Sequence, residues 1–329
     1  MISNYKFLKI NVQNGNTPRK GCKSRTRNMP HENLDDSSYF VQIPTADHKM
    51  FPLKTKLFVL LLAIGQRVNR SVDLFLSAKC KLSKHAFDWW KQLQPEKRDY
   101  IYYQKTVDNL AKVFPSVSNG VEPCLDHCRT CAVVGNSVNL KGSLYGSVID
   151  ANDVVFRMNR SPTKGYEKDV GTKTTHRIMY PESAVDLDNA TRFILLPFKI
   201  MDLEWLQQAF TTGFFGKSYA PVKSTIRANE DLVMVVSPVF MMYVHHVWLE
   251  SERGYPSTGF MALILALHIC DEVRVFGFGG DKHGSWTHYW EKPKDKNFKT
   301  GLHPGNLEYY ILEQLAKEQA LQLFNGSRS

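Results

Sequence analysis

Short apolar runs recur along the chain from about residue 130, and each run ends in glycine or in polar residues. The stretches around them have apolar residues at helical spacing, as in HAFDWWKQLQ and KTVDNLAKVF. A strand that is apolar almost without interruption is buried on both faces, as in a parallel sheet covered by helices. The pattern therefore predicts an α/β fold with a mostly parallel sheet and helices on both faces. The predicted strands are Ala132–Val134, Val154–Met158, Phe193–Leu196, Leu232–Val236 and Val273–Phe278.

Asparagine follows the first two predicted strands. In CAVVGNSVNL the strand stops at Gly135, Asn136 and Ser137, and in VVFRMN the next strand leads into Asn159. Ligands of open α/β sheets bind beyond the carboxyl ends of the strands. A strand followed by a turn with no functional role is also compatible with these residues. The more specific hypothesis is a ligand-binding loop at the edge of the sheet.

A second stretch, YPSTGFMALILALHICDEVRVFGFGG, combines a helix with a strand. Ser257 or Thr258 can cap a helix that runs to about Cys270. Gly259 lets a ligand approach the first turn, where amide groups and the positive helix end favour an anion. Gly279 and Gly280 open the loop after the strand. The stretch matches neither a P-loop nor a dinucleotide fingerprint. Taken alone, it is also compatible with a helix–strand pair that has only a structural role.

Two histidines lie in loops after the last predicted strand. His288 begins HYWE, and His303 begins HPGNLE, which leads into the amphipathic helical pattern LEYYILEQLAKEQALQLF. An isolated histidine is usually a surface residue or a satisfied core residue. Two in neighbouring loops are a suggestive but not a decisive sign of acid–base chemistry.

The positive charge of the chain is concentrated at its amino end. The chain has 42 Lys and Arg against 32 Asp and Glu, and residues 1–56 hold ten of the bases and four of the acids. The remainder is only mildly basic, which suits a small anionic substrate better than nucleic acid. We predict a basic, poorly folded tail over 1–56, a short apolar segment and linker over 57–79, and a folded domain over 80–329.

The six cysteines allow more than one interpretation. Cys124-x3-Cys128-x2-Cys131 has the spacing of a radical-type iron–sulfur site. Cys131 begins a strand, however, whereas a cluster loop should follow one. Sequons begin at Asn69, Asn189 and Asn325, and together with paired cysteines they would favour a secretory compartment.

Four segments resemble the motifs of the animal sialyltransferases, glycosyltransferase family 29, and they occur in the order of that family. The long motif is similar to CRTCAVVGNSVNLKGSLYGSVIDANDVVFRMNRSPTKGYEKDVGTKTTH and the short motif to PSTGFMALILALHICDEVRVFGFG. HYWE resembles the third motif, and His303 with Glu308 the HxxxxE of the last. The resemblance covers about three quarters of the chain. It is strongest to β-galactoside α-2,3-sialyltransferases acting on Galβ1,3GalNAc.

The resemblance implies a variant glycosyltransferase-A, Rossmann-like fold, CMP-sialic acid as donor, no cofactor and no metal requirement. It implies that Cys131 pairs with Cys270, and that Cys128 pairs with an upstream cysteine, for which we prefer Cys80. It also implies the contacts to the two substrates. Donor contacts are expected from Asn136, Ser137, Asn159, Thr258, Gly259, Gly279 and His288, and sugar contacts from Gln94, Tyr219 and Tyr255.

The chemistry implied is an inverting displacement. His303 is the expected general base for the galactose 3-hydroxyl, and His288 is expected to stabilise the negative charge that grows on the departing phosphate. We expect Glu308 to orient its loop or cap a helix rather than to transfer a proton. A non-catalytic glycan-binding relative is the alternative, although such a protein would have no use for a general base.

Two patterns would suggest a metal if the resemblance were set aside. Asp186 and Asp188 in DLD imitate the metal-binding pair of other glycosyltransferases, but they adjoin Asn189 in a polar stretch and fit a solvated turn. His283 and His288 could suggest zinc, but no further ligands converge on them.

The N-terminus departs from the family pattern of a short cytosolic tail, a long anchor and a stem. The apolar run LFVLLLAIG, residues 57–65, is about half the ~20 residues that a membrane span needs. A Golgi membrane location with a lumenal catalytic domain is what the resemblance implies. The acceptor, an O-glycan or a glycolipid that ends in galactose, is not specified further by these residues.

Overall fold

The computed structural model describes residues 68–69, 71–79, 82–115, 128–252, 254–280, 285–292 and 303–326. Apart from Cys128, the described residues belong to one compact unit. The segments 1–56 and 57–65 and the residues Cys80 and His283 lie outside the described residues. No helix in the described ranges is long and apolar enough to cross a bilayer.

A seven-stranded sheet forms the centre of the unit, with the strand order β5-β4-β3-β2-β1-β6-β7. Every neighbouring pair of these strands is parallel, which confirms the predicted α/β fold with a mostly parallel sheet. The strands are β1 Thr130–Val134, β2 Val154–Met158, β3 His176–Met179, β4 Arg192–Leu195, β5 Val233–Val235, β6 Glu272–Phe276 and β7 Gln322–Phe324.

The described ranges also contain eight α-helices and a π-helical turn, Val244–Trp248. Short 3₁₀ turns occupy Val138–Leu140, Pro181–Ser183 and Glu230–Leu232. The helices are α1 Lys84–Trp90, α2 Tyr100–Val113, α3 Gly146–Asp150, α4 Glu167–Val170, α5 Ile200–Phe210, α6 Pro238–Tyr243, α7 Thr258–Ile269 and α8 Gly305–Lys317.

Two strands were not predicted. The polar pair His176 and Arg177 interrupts the apolar pattern of β3, although all four residues of that strand are buried. The helical spacing of LEYYILEQLAKEQALQLF predicted one helix, but α8 ends at Lys317 and the last residues form β7. Gln319 has a φ of 60°, a left-handed conformation that ends a helix.

The predicted ends of three strands also need correction. β5 is shorter than Leu232–Val236, because Leu232 closes a 3₁₀ turn, and β4 begins at Arg192 rather than Phe193. β6 stops at Phe276 instead of Phe278. Gly277 has a φ of 68°, which turns the chain out of the strand.

Helix α7 is the central helix of one layer. It is buried on nearly all sides and packs against β1, β2, β3 and β6. A helix that is apolar all round belongs inside a protein, so its position explains the sequence GFMALILAL. Its first residue, Thr258, lies at the edge of the sheet where the parallel strands end.

Cys131 at the start of β1 is disulfide-bonded to Cys270, which follows α7. The bond confirms the expected pairing. Cys128 is also disulfide-bonded, while the expected partner Cys80 lies outside the described residues. An iron–sulfur site at Cys124, Cys128 and Cys131 is therefore excluded, because two of its three thiolates are used in disulfides.

Candidate active site

A cavity of about 440 Å³ lies at the carboxyl edge of the sheet. Its volume is in the range of small-molecule sites. The wall comes from the loops after β1, β2, β3, β4 and β6, the first turns of α7 and α8, and the segments around residues 94, 219 and 288. All of the predicted donor and sugar contacts line it: Gln94, Asn136, Ser137, Asn159, Tyr219, Tyr255, Thr258, Gly259, Gly279, His288 and His303.

The turn after β1 is held against the loop after β6. A Cβ on Gly135 would lie 2.2 Å from the carbonyl oxygen of Gly277, so only glycine permits this approach. The amide of Ser137 donates to the same carbonyl at 3.0 Å. The turn is therefore fixed by backbone contacts, which leaves its side chains available to the cavity.

Asn136 and Asn159 stand at the ends of the neighbouring strands β1 and β2. Asn136 Nδ2 donates to the carbonyl of Met158 at 3.4 Å, while its Oδ1 is buried with no hydrogen-bond partner in the described structure. A buried polar atom without a partner is unfavourable, and at a cavity wall it marks a contact that a ligand can make. Asn159 has a φ of 55°, and its Oδ1 accepts a 2.9 Å hydrogen bond from Ser183.

His288 is brought to the same edge by backbone pairing. It forms an antiparallel bridge with Ser137, and the amide of Tyr289 donates to the carbonyl of Asn136 at 2.9 Å. The imidazole is stacked on Trp290 with ring centroids 4.6 Å apart. Its Nδ1 lies 2.9 Å from Glu291 Oε2.

The start of α7 is tied to α8 through one carboxylate. Ser257 caps the helix by accepting from the amide of Phe260 at 3.1 Å. Glu308 accepts from both the amide and the hydroxyl of Ser257, at 2.7 and 2.6 Å. Glu308 is buried, and burial raises its pKa to about 7 despite these two hydrogen bonds. Its place agrees with the expectation that it orients a loop, since it binds the cap residue of another helix.

His303 is held by a backbone carbonyl. Its Nδ1 lies 3.0 Å from the carbonyl oxygen of Tyr255, and its ring meets that of Tyr255 edge-on at 4.9 Å. A carbonyl only accepts, so Nδ1 carries the proton and the lone pair of the neutral ring lies on Nε2. Burial lowers the pKa of His303 below its ordinary value, which keeps the ring neutral at pH 7. This is the tautomer and charge state of a general base.

The other end of the cavity has polar residues that the sequence did not reveal. Lys199 is almost buried and donates to Gln94 Oε1 at 3.3 Å. Its Nζ lies 2.8 Å from Asp202 Oδ1 and 3.3 Å from Glu182 Oε1, and 5.6 Å from the centre of the Tyr219 ring. Because the Gln94 oxygen accepts from Lys199, its amide N–H groups face the other way. A hydrogen bond from Gln94 to Tyr255 lowers the pKa of that phenol, although burial raises it more.

The acidic pair DLD has structural partners. Asp186 pairs with Lys223 at 2.6 Å and with Arg227 at 3.3 Å, and Asp188 Oδ1 accepts from the amides of Ala190 and Thr191. Both are therefore used in a turn, as the polar surroundings indicated. Within the described ranges no group of three His, Cys, Asp or Glu side chains is arranged to hold a metal ion.

Residues 75–320 match the family model of glycosyltransferase family 29, the sialyltransferases. The chain is a member of this family. Its relatives include β-galactosamide α-2,3-sialyltransferase 1 of Sus scrofa, 43% identical over 79% of this chain and 77% of that protein. Another is β-galactosamide α-2,3-sialyltransferase 2 of Mus musculus, 44% identical over 73% of this chain and 69% of that protein.

This family 29 chain also shares its fold with solved sialyltransferases. A crystal structure of a mammalian sialyltransferase superposes with a TM-score of 0.73 at 43% identity, covering 80% of this chain and 93% of that one. A crystal structure of a mammalian sialyltransferase in complex with Gal-β-1-3GalNAc-ortho-nitrophenol gives 0.71 at 41% identity, over the same shares of both chains. These agreements confirm the expected variant of the glycosyltransferase-A fold.

Proposed function

We propose that this chain transfers sialic acid from CMP-sialic acid to the 3-hydroxyl of terminal galactose in Galβ1,3GalNAc. The observation that carries the proposal is the meeting of His303, His288 and the strand-end asparagines at one cavity. The identity to two named β-galactosamide α-2,3-sialyltransferases supports the linkage and the acceptor.

The donor occupies the end of the cavity at β1 and β2. Asn136 and Asn159 bind its phosphate and nucleotide, with help from Ser137. The first turn of α7 at Thr258 and Gly259 supplies amide groups and a positive helix end for an anionic group. Gly279 lies close to the ring of Tyr309 and closes this end of the cavity.

The two histidines divide the chemistry between them. His303 removes the proton from the galactose 3-hydroxyl through Nε2, while its Nδ1–H stays on the carbonyl of Tyr255. The hydroxyl oxygen attacks the anomeric carbon in line, the bond to the CMP phosphate breaks, and the anomeric centre inverts. His288, supported by Glu291, donates to the departing phosphate. A general base is worth ~10²–10⁴-fold in rate.

The acceptor sugars occupy the end of the cavity at Gln94, Tyr219 and Tyr255. The hydrogen bond from Lys199 fixes the Gln94 amide, which in turn orients the Tyr255 hydroxyl. Aromatic rings and directed polar groups together suit a sugar, which presents both apolar and hydroxyl faces. Both glycoproteins and glycolipids can present Galβ1,3GalNAc, and both are included in the proposal.

The proposal includes a lumenal Golgi location, a membrane-attached N-terminus, a Cys80–Cys128 disulfide, and catalysis without cofactor or metal. N-glycosylation is proposed at Asn69, Asn189 and Asn325, whose side chains are all exposed. A disulfide between Cys131 and Cys270 supports an oxidising compartment.

The test is transfer from CMP-sialic acid to Galβ1,3GalNAc and to Galβ1,4GlcNAc, with a chelator present. We expect transfer to the first acceptor at an undiminished rate, and little transfer to the second. His303→Ala should abolish transfer and leave CMP binding nearly intact. His246→Ala, which changes an exposed histidine outside the cavity, is the matched control. A His303→Ala enzyme that keeps most of its transfer rate would refute the assignment of the base.

A further inference from the structure

Two arginines stand opposite each other on the central strands. Arg157 of β2 and Arg177 of β3 are direct partners in the parallel register, and both side chains are buried, with 0% and 8% of their surface exposed. Like charges in this position repel each other. Burying a charge without a counter-ion is also costly.

Neither guanidinium has an acidic partner at ion-pair distance among the residues that the structure describes. Arg157 donates to the carbonyls of Val170 at 2.6 Å and Lys173 at 3.1 Å, and to the hydroxyl of Thr174. Arg157 Nη1 and Arg177 Nε are buried with no hydrogen-bond partner in the described part of the chain. The hydrogen-bond partners of the two positive charges are therefore neutral, while the carboxylates of Asp150 and Asp188 stabilise them only from beyond ion-pair distance.

Both groups are nevertheless charged at neutral pH. The pKa of each is lowered to about 10, chiefly by burial and, for Arg177, also by the neighbouring charge of Arg157. These values remain well above 7. Two buried guanidinium groups on the central strands therefore each carry a positive charge.

The two side chains point to opposite ends of the sheet. Arg177 Nη1 lies 3.2 Å from the carbonyl of Asn159, 3.3 Å from that of Arg160 and 3.2 Å from that of Ser161. It thus sits beneath the loop that brings Asn159 to the cavity wall. Arg157 reaches the other way, toward Val170 and Lys173.

We propose that Arg177 gives the donor end of the cavity a buried positive charge that selects a dianionic ligand, with a smaller contribution from Arg157. Arg177 also positions Asn159 through its three carbonyl contacts. The inference rests on the proposed donor, whose phosphate and carboxylate are both anionic. A bound dianion supplies the close counter-charge that the described residues do not place within ion-pair distance of either arginine. The positive charge of Arg177 in turn stabilises the negative charge that grows on the departing phosphate.

The test compares the affinities of CMP and cytidine by calorimetry. These ligands differ by a phosphate that carries about −1.5 to −2 charges at pH 7. Arg177→Met should weaken the binding of CMP about tenfold, the order of magnitude expected when one positive charge is removed from the vicinity of a dianion. Cytidine should change less than about twofold, and Arg177→Lys should keep most of the preference for CMP.

Arg157→Met is the matched control, since it removes the same buried group on the paired strand but farther from the cavity. Arg157→Met should lower the affinity for CMP clearly less than Arg177→Met does. If Arg177→Met does not fold, Arg177→Gln replaces it, because the Gln amide still donates to the carbonyls of the Asn159 loop without a charge.

Three results would overturn the inference. The neutral Arg177 variant could keep the full preference for CMP over cytidine. It could also lose affinity for CMP and cytidine equally, as expected of a residue that only shapes the loop. Alternatively, Arg157→Met could weaken CMP as much as Arg177→Met. An unmodified enzyme that binds CMP no better than cytidine would instead contradict the proposed donor itself, so the two failures are distinguishable.

Discussion

The bond between Cys131 and Cys270 should stabilise the enzyme strongly without taking part in its chemistry. The two cysteines are 139 residues apart in the sequence. Closing a loop of this length removes enough entropy from the unfolded chain to stabilise the folded state by about 5 kcal/mol at 25 °C in the loop-closure description. A domain of about 250 residues loses roughly 2–4 °C in melting temperature per kcal/mol. Replacing both cysteines by alanine should therefore lower Tm by roughly 10–20 °C.

Catalysis should respond very differently. Cys131 is the second residue of β1 and Cys270 follows the end of α7. At the opposite ends of these elements, Asn136 after β1 and Thr258 at the start of α7 line the cavity. Five residues of strand span about 16 Å, so the disulfide lies at the far edge of the sheet. At 20 °C, where the variant is still folded, we expect kcat/KM for CMP-sialic acid to stay within about threefold of the unmodified enzyme.

Thermal scans, urea unfolding and initial rates on the double variant measure these effects. The urea m-value separates a lost cross-link from a lost side-chain contact, because an unlinked chain exposes more surface when it unfolds. We expect m to rise. A Tm decrease of less than 5 °C with an unchanged m would refute the loop-closure argument, and a large loss of kcat/KM in the folded variant would refute the separation of the bond from the site.

Three further predictions concern the cavity. Burial lowers the pKa of His303 below its ordinary value of 6.5, so the base is neutral at pH 7. The log of kcat/KM should therefore fall with unit slope only below pH 6.5, and a break at or above 6.5 would contradict this. Burial raises the pKa of Glu308 from 4.5 to about 7, so its stabilising contribution is present at low pH and is lost as pH rises through this window. Glu308→Gln should therefore gain about 3 kcal/mol relative to the unmodified enzyme between pH 4.5 and 7 in urea unfolding, whereas an unchanged difference would contradict the buried carboxylate. Gln94→Glu still accepts from Lys199 but no longer donates to Tyr255, so the acceptor KM should rise about tenfold with the donor KM unchanged; an equal rise in both would mean a general distortion.

The arrangement of the sheet followed from the sequence because burial on both faces leaves little choice of residues. VVFRM and CAVV are almost continuously apolar, and they became neighbouring parallel strands. The strand His176–Met179 was missed because His176 and Arg177 are polar yet buried. Here the surroundings supply hydrogen bonds: His176 Nδ1 lies 2.8 Å from the hydroxyl of Thr175, and Arg177 binds three carbonyls of a distant loop. The loop that Arg177 binds lies 16 to 18 positions away in the sequence, so this contact is not visible in a local pattern.

The convergence of the site residues has a topological cause. The carboxyl ends of parallel strands lie at one edge, so Asn136 and Asn159 had to become neighbours once the strands were assigned. The histidines and the sugar contacts follow from no such rule and were assigned by resemblance to the family. No periodicity indicates that Lys199 approaches Gln94, because the two residues are 105 positions apart and their contact depends on how two loops fold.

The charges that matter most to the proposed mechanism are therefore the ones that a sequence conceals best. Arg157, Arg177 and Glu308 are buried, and hydrophobic patterning would place none of them inside. Arg177 binds the backbone of the Asn159 loop beneath the cavity wall, Glu308 binds a cap residue at that wall, and Arg157 binds backbone toward the opposite end of the sheet. A charge buried in this way lowers the stability of the folded state. The presence of such a charge is explained when it binds a ligand of opposite charge, or when it holds a loop that binds this ligand. Among the described residues no carboxylate lies within ion-pair distance of either arginine, and the cavity next to Arg177 is proposed to take an anion, so the loss of stability and the gain in binding have one cause.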